Sequence, residues 1–197
     1  MTRSLSLRRL PGGRIWPWFV LLLGTFVSVP SFPQPTVSDL DGKSGSLRTL
    51  RSGKIVVLLF VRRDCPLSAR FAPTIQRISS EHAKDAHFYL IFPDKSDSSS
   101  EIRRYLRDFH YSIPAIRDPG HILVTKAHAS ITPEAAVFAN GALIYHGRID
   151  NLYESIGHPR PAPTTHELED SIVAAFHGRW PAVAEAPSVG CYISDLD

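Results

Sequence analysis

The chain carries two cysteines, Cys65 and Cys191, in 197 residues. A cysteine reacts as its thiolate, so its surroundings decide whether it does chemistry. Cys65 stands in Arg62-Arg63-Asp64-Cys65-Pro66. Proline is tolerated in the first turn of a helix, which places Cys65 at a helix N-terminus, where unpaired N–H groups favour an anion. Arg62 and Arg63 add positive charge nearby, and Asp64 works against them. Ser68, one turn further, either hydrogen-bonds the sulfur or sits on a solvated face. The opposing reading of Cys65 is a buried, inert thiol. Cys191, in Val189-Gly190-Cys191-Tyr192-Ile193, has three readings. It is a resolving thiol for oxidised Cys65, a permanent staple between tail and domain, or a thiol that pairs with another chain. Gly190 permits close backbone approach, and Val189 and Ile193 are apolar enough to anchor the segment. Two cysteines are too few for a disulfide scaffold and give no Cys-x-x-Cys pair for zinc. The nine histidines show no His-x-His or HExxH spacing, and His82, His87, His158, His166 and His177 read as surface or helix residues. The acidic, serine-rich run Asp94 to Ser100 reads as a solvated loop. No metal or cofactor is expected.

The elements that must position these thiols follow from hydrophobic patterning. Lys54 to Val61 (KIVVLLFV) is a continuous apolar run, as a central strand buried on both faces requires. The helix that follows is expected over Pro66 to Ala83, with Phe71, Ile75 and Ile78 on its inner face. A second strand is expected at His87 to Phe92. A helix capped by Ser100 is expected over Glu101 to His110, with Ile102, Leu106 and Phe109 inward and Arg103, Arg104 and Arg107 in solvent. Glu134 to Ala139 and Ala142 to Gly147 form a hairpin across Asn140-Gly141. Thr165 to His177 is the last amphipathic helix, and Gly178 to Pro187 an irregular lead-in to the second cysteine. Alternating strands and helices with a closing hairpin give an α/β plan with a mixed sheet. Ligand chemistry in such sheets sits beyond the carboxyl ends of parallel strands, where Cys65 lies.

With these elements in order, the chain resembles the thioredoxin superfamily, and its redoxin branch of AhpC/TSA-like and TlpA-like proteins, over roughly residues 37–177. DLDGK followed by SLRTLRSGKIVVLLFVRRDCP resembles the approach to the family's active-site helix. Leu90-Ile91-Phe92 resembles its second parallel strand, and Ile113 to Asp118 the segment where a redoxin turns back. Ile131-Thr132-Pro133-Glu134 resembles its threonine and cis-proline. The resemblance implies a thioredoxin-like fold, a central mixed β-sheet flanked by helices. It implies that Thr132 and Pro133 face Cys65, with the Thr132 backbone open to an extended partner peptide. The chain departs from its relatives at informative places. Ser68 replaces the second cysteine of a Cys-x-x-Cys dithiol. Leu58 and Arg62 stand where a peroxiredoxin has proline and threonine. Ala69 stands where a Sco-type copper protein has its second cysteine.

Four arginines fall within the first fourteen residues, so the net charge of +3 leaves a nearly neutral body and gives no argument for nucleic acid. Behind them, Ile15 to Val29 is an apolar run of about fifteen residues, short of the roughly 20 that span a bilayer but right for a signal-peptide core. The expected organisation is a signal peptide or membrane anchor over 1–31, a redoxin domain over 36–180 and a tail carrying Cys191 over 181–197. The expected function is an extracytoplasmic thiol-based oxidoreductase, acting by thiol–disulfide exchange or as a peroxide-reducing antioxidant, with a protein thiol or disulfide, or a peroxide, as partner. The expected site is Cys65, Cys191, Thr132 and Pro133. The rival is a non-catalytic thioredoxin-fold binding module with a structural Cys65–Cys191 disulfide.

Overall fold

The six residues Ile55–Phe60 (β2) are buried without exception, because each face of this strand meets its own apolar layer. Val57 and Leu59 point into a cluster with Phe71, Ile75, Ile78, Ile102, Leu168 and Ile172. Val56, Leu58 and Phe60 point the other way, toward Leu123, Val124, Ala127 and Ile193. Period-two side chains on a strand covered on both sides give a continuous apolar run, the pattern seen in the sequence.

The computed structural model of the chain describes residues 37–43, 55–194 and 196, all within one compact unit. The expected export segment over 1–31 lies outside them. In chain order the remaining elements are β1 (Ser38–Asp39), α1 (Pro66–Glu81), β3 (Ala86–Phe92), α2 (Ser99–Asp108), β4 (Ala115–Arg117), α3 (Ile122–Ala127), β5 (Ile131–Thr132), β6 (Glu134–Ala139), β7 (Ala142–Gly147), β8 (Tyr153–Ser155), β9 (His158–Pro159), α4 (Glu167–Phe176), β10 (Glu185–Ala186) and β11 (Cys191–Tyr192). Seven strands form one mixed sheet in the order β1-β4-β3-β2-β6-β7-β10. Strands β2, β3 and β4 run parallel, and β6 and β7 run antiparallel as the hairpin. The hairpin turn is Asn140-Gly141 with both φ positive, 51° and 82°, as its sequence predicts.

Three expectations need correction. The cap of α2 is Ser98, not Ser100, so the helix starts at Ser99 and ends at Asp108. Ser98 and Glu101 form a reciprocal capping box, with Glu101 N–H donating to the Ser98 hydroxyl and Ser98 N–H to the Glu101 carboxylate. The lead-in to Cys191 is not irregular throughout, because β10 pairs parallel with β7, matching Ala186 to Gly147. A further helix, α3, lies where no element was expected. Its start is organised by buried Asp118, whose carboxylate accepts the N–H groups of Ile122 (2.8 Å), Leu123 (2.8 Å) and Val124 (3.0 Å).

Candidate functional site

Cys65 is the N-cap residue of α1, directly after the carboxyl end of β2 and before Pro66. This is the position the strand-then-proline pattern predicts, and the dipole of a 16-residue helix begins there. The Thr132–Pro133 peptide is cis, and the Thr132 carbonyl accepts a hydrogen bond from the Cys65 thiol at 3.1 Å. The loop before Pro133 is held by the buried Glu134 carboxylate, which accepts the N–H groups of Ser130 and Ile131, each at 3.0 Å.

The tail closes the site. Strand β11 pairs antiparallel with β5, placing Cys191 opposite Thr132 and Tyr192 opposite Ile131. The Ile193 N–H donates to the Ser130 carbonyl at 2.9 Å, and the Ile193 side chain is buried in the α3-side cluster. The Thr132 hydroxyl donates to the Cys191 carbonyl at 3.3 Å, and the Arg62 guanidinium to the Tyr192 carbonyl at 3.0 Å. Gly190 is required here, since a Cβ at that position would lie 2.0 Å from the Thr132 oxygen. Both cysteines are free thiols that meet at Thr132, whose carbonyl accepts from the Cys65 thiol and whose hydroxyl donates to the Cys191 carbonyl. Cys65 is only 1% exposed, whereas Cys191 keeps part of its surface in solvent.

The surroundings shift the acidity of the two thiols in opposite directions. Burial raises the cost of a Cys65 thiolate, but hydrogen bonds from the Cys191 thiol, from the Ser68 N–H and hydroxyl and from Thr132 outweigh it, and Cys65 ionises below an ordinary thiol. The Thr132 carbonyl contact favours the protonated form and limits that effect. Burial pushes Cys191 up to about 11, reinforced by its donation to Cys65 and by the charge that Cys65 carries. Replacing Cys191 by alanine removes the main donor to Cys65, while serine retains a hydroxyl. With Cys65 the single thiol in both variants, ultraviolet thiolate absorbance should titrate at higher pH in Cys191→Ala than in Cys191→Ser. Coincident curves would mean that the contact does not set the acidity of Cys65.

The four expected site residues, Cys65, Cys191, Thr132 and Pro133, are therefore brought together. The solvated-face alternative for Ser68 is overturned, because Ser68 is fully buried and its hydroxyl accepts the Arg62 N–H at 3.2 Å. Arg62 and Arg63 do not serve the Cys65 anion as expected. Arg62 pairs with Asp64 (2.8 Å) and Asp94 (3.3 Å) and faces Cys191, while Arg63 pairs with Asp97 (2.5 Å) and Glu101 (3.3 Å). The acidic loop thus supplies counter-charges. Among the described residues no group of three or more His, Cys, Asp or Glu side chains is arranged to hold a metal ion. Glu134 and the tail-holding role of Arg62 escaped the sequence reading, since both act on backbone groups that only the folded chain brings near.

No family model matches the chain, and no curated protein matches it in sequence. Solved structures do match in shape. An uncharacterized conserved protein from Geobacillus kaustophilus superposes with a TM-score of 0.70 at 20% identity, over 82% of this chain and 88% of that one. A secreted Mycobacterium tuberculosis disulfide oxidoreductase homologous to E. coli DsbE gives 0.51 at 14% identity, over 73% and 94%. The exposed lipoprotein thioredoxin Etrx1 of Streptococcus pneumoniae gives 0.51 at 19% identity, over 73% and 97%. The chain has a thioredoxin-like fold with a central mixed sheet flanked by helices. On that fold the cysteine at the first helix faces a cis-proline loop already paired with the chain's own tail.

Proposed function

We propose that the protein is an extracytoplasmic thiol–disulfide oxidoreductase whose working unit is the Cys65–Cys191 pair. The observation that carries this reading is a thiol at a helix N-terminus bonded to Thr132, with a second thiol held opposite the same Thr132 by β11. Cys65 is the more acidic thiol of the pair and Cys191 the less acidic. Loss of two electrons and of the protons the thiols carry joins the sulfurs as a disulfide, and two electrons and the protons from a partner dithiol restore the pair. The peroxide-reducing alternative has less support, because Leu58 and Arg62 occupy the positions of the peroxiredoxin proline and threonine. Export draws support from the arginine-flanked apolar run Ile15 to Val29 and from the secreted and lipoprotein proteins that share the fold. Among the described residues no helix is long and apolar enough to cross a membrane.

The test is reduction of a disulfide substrate by the full chain, beside stopped-flow peroxide reduction. Cys65→Ser is expected to lower disulfide exchange at least about a thousandfold, because no thiolate remains at the helix start. Equal activity of wild type and Cys65→Ser in both assays would sink the enzyme reading. A redox titration separates it from the structural-staple rival, since a working pair has a potential less reducing than about −300 mV.

A further inference from the structure

We propose that Cys191, and not Cys65, is the sulfur that meets the redox partner. This rests on the dithiol cycle above and adds the direction in which it runs. Strand β11 pairs beside Cys65, which is left 1% exposed. The lid is fixed at four points: the two-residue ladder with β5, the Ile193 N–H on Ser130, the Arg62 guanidinium on the Tyr192 carbonyl, and the Ile193 side chain in the core. Cys191 is carried on that lid with part of its surface open, and its neighbour Tyr192 is 76% exposed. A partner sulfur approaching the docked tail therefore reaches Cys191 first.

The chemistry agrees with the access. In the oxidised pair an incoming thiolate must attack one sulfur and expel the other. Exchange is faster when the departing thiol is the more acidic one. Attack on Cys191 expels Cys65, the thiol that the Ser68 groups stabilise as an anion. Attack on Cys65 would have to penetrate the lid and expel Cys191, whose partial burial disfavours its thiolate. A partner thiolate forms a bond to the Cys191 sulfur as the Cys65–Cys191 bond breaks, and Cys65 leaves with the electron pair. A second partner thiolate then attacks the partner's own sulfur in that mixed disulfide. Cys191 leaves, takes up a proton, and the partner departs as a disulfide.

The experiment uses the oxidised full chain, a short pulse of glutathione, and rapid quenching with N-ethylmaleimide before peptide mass spectrometry. Glutathione is expected on Cys191 and maleimide on Cys65, with the reverse pattern at least about tenfold rarer. A predominance of glutathione on Cys65 would overturn the proposal and leave the dithiol cycle standing. Absence of any glutathione-reducible Cys65–Cys191 bond would remove the dithiol cycle and this inference with it.

Discussion

Replacing Gly190 by alanine is expected to detach the tail from the site and slow formation of the Cys65–Cys191 disulfide by about a hundredfold or more. The added Cβ would sit 2.0 Å from the Thr132 carbonyl oxygen, 2.7 Å from its carbon and 2.8 Å from the Ile131 Cγ2. The Thr132 backbone has little room to retreat, because Cys65 bonds the same oxygen and Glu134 holds the two N–H groups before it. The tail must therefore move. When it moves, the β5 ladder, the Ile193 N–H bond and the Arg62 bond to the Tyr192 carbonyl are lost together. Burial of Ile193, about 1.5–3 kcal/mol, goes with them. Two thiols held in one geometry react at an effective concentration that free diffusion of a loose tail cannot match, which sets the size of the effect. Cys65 should at the same time become at least about ten times more reactive to maleimide, since its cover is gone. An exposed control on the same tail, Ser194→Ala, should change neither rate. Wild-type rates in Gly190→Ala would mean that the tail does not need this close approach.

The elements that position Cys65 are local in sequence, and the elements that bring Cys191 to it are not. A run of seven apolar residues, Ile55 to Val61, a proline after a cysteine and an Asn-Gly pair each act within a few residues. Strand β2, the start of α1 and the β6–β7 hairpin were therefore legible. The α2 cap was legible in principle, since Ser98-Ser99-Ser100-Glu101 contains the Ser-x-x-Glu spacing of a capping box, but three consecutive serines hide which one caps. Helix α3 spans only six residues, and its first turn is organised by a carboxylate four residues before Ile122. No periodicity builds up over so short a length. Strands β10 and β11 have two residues each, and what makes them strands is the edge they meet. Gly147 and Gly190 carry the imprint of those meetings, since a Cβ at either would collide with the opposing backbone. A glycine in sequence says that something approaches closely; it does not say what. The pairing of Cys191 with Thr132 was for that reason open in the sequence and closed by the fold.

Oxidation is expected to stabilise the protein by about 2–5 kcal/mol, and the gain should widen as pH falls. A Cys65–Cys191 bond closes a loop of more than one hundred residues, for which chain entropy alone gives about 5 kcal/mol. Both cysteines already meet Thr132 in the dithiol form, so little rearrangement is needed to join them. The folded dithiol state has a compensation that the unfolded one lacks, the stabilised Cys65 thiolate. A thiol whose folded pKa lies below its unfolded value of about 9 adds stability to the reduced fold that is fully present above that unfolded value. It is lost as pH falls through the folded value. The reduced protein therefore weakens on acidification while the oxidised one, which has no Cys65 proton to bind, does not. Cys191 acts only at the other end, because its folded value of about 11 penalises the reduced fold above pH 9. By linkage the same free energy sets the potential of the pair, about 30 mV for each 1.4 kcal/mol, so an acidic Cys65 makes the disulfide more oxidising than a neutral staple would be. Denaturant midpoints of oxidised and reduced protein at pH 5 and pH 8 measure this directly, with Cys191→Ser as a control that should show no oxidation effect at either pH. A gap between the two redox forms that is equal at both pH values would show that Cys65 is not a thiolate in the working range, and a zero gap that the two sulfurs do not join in the native fold.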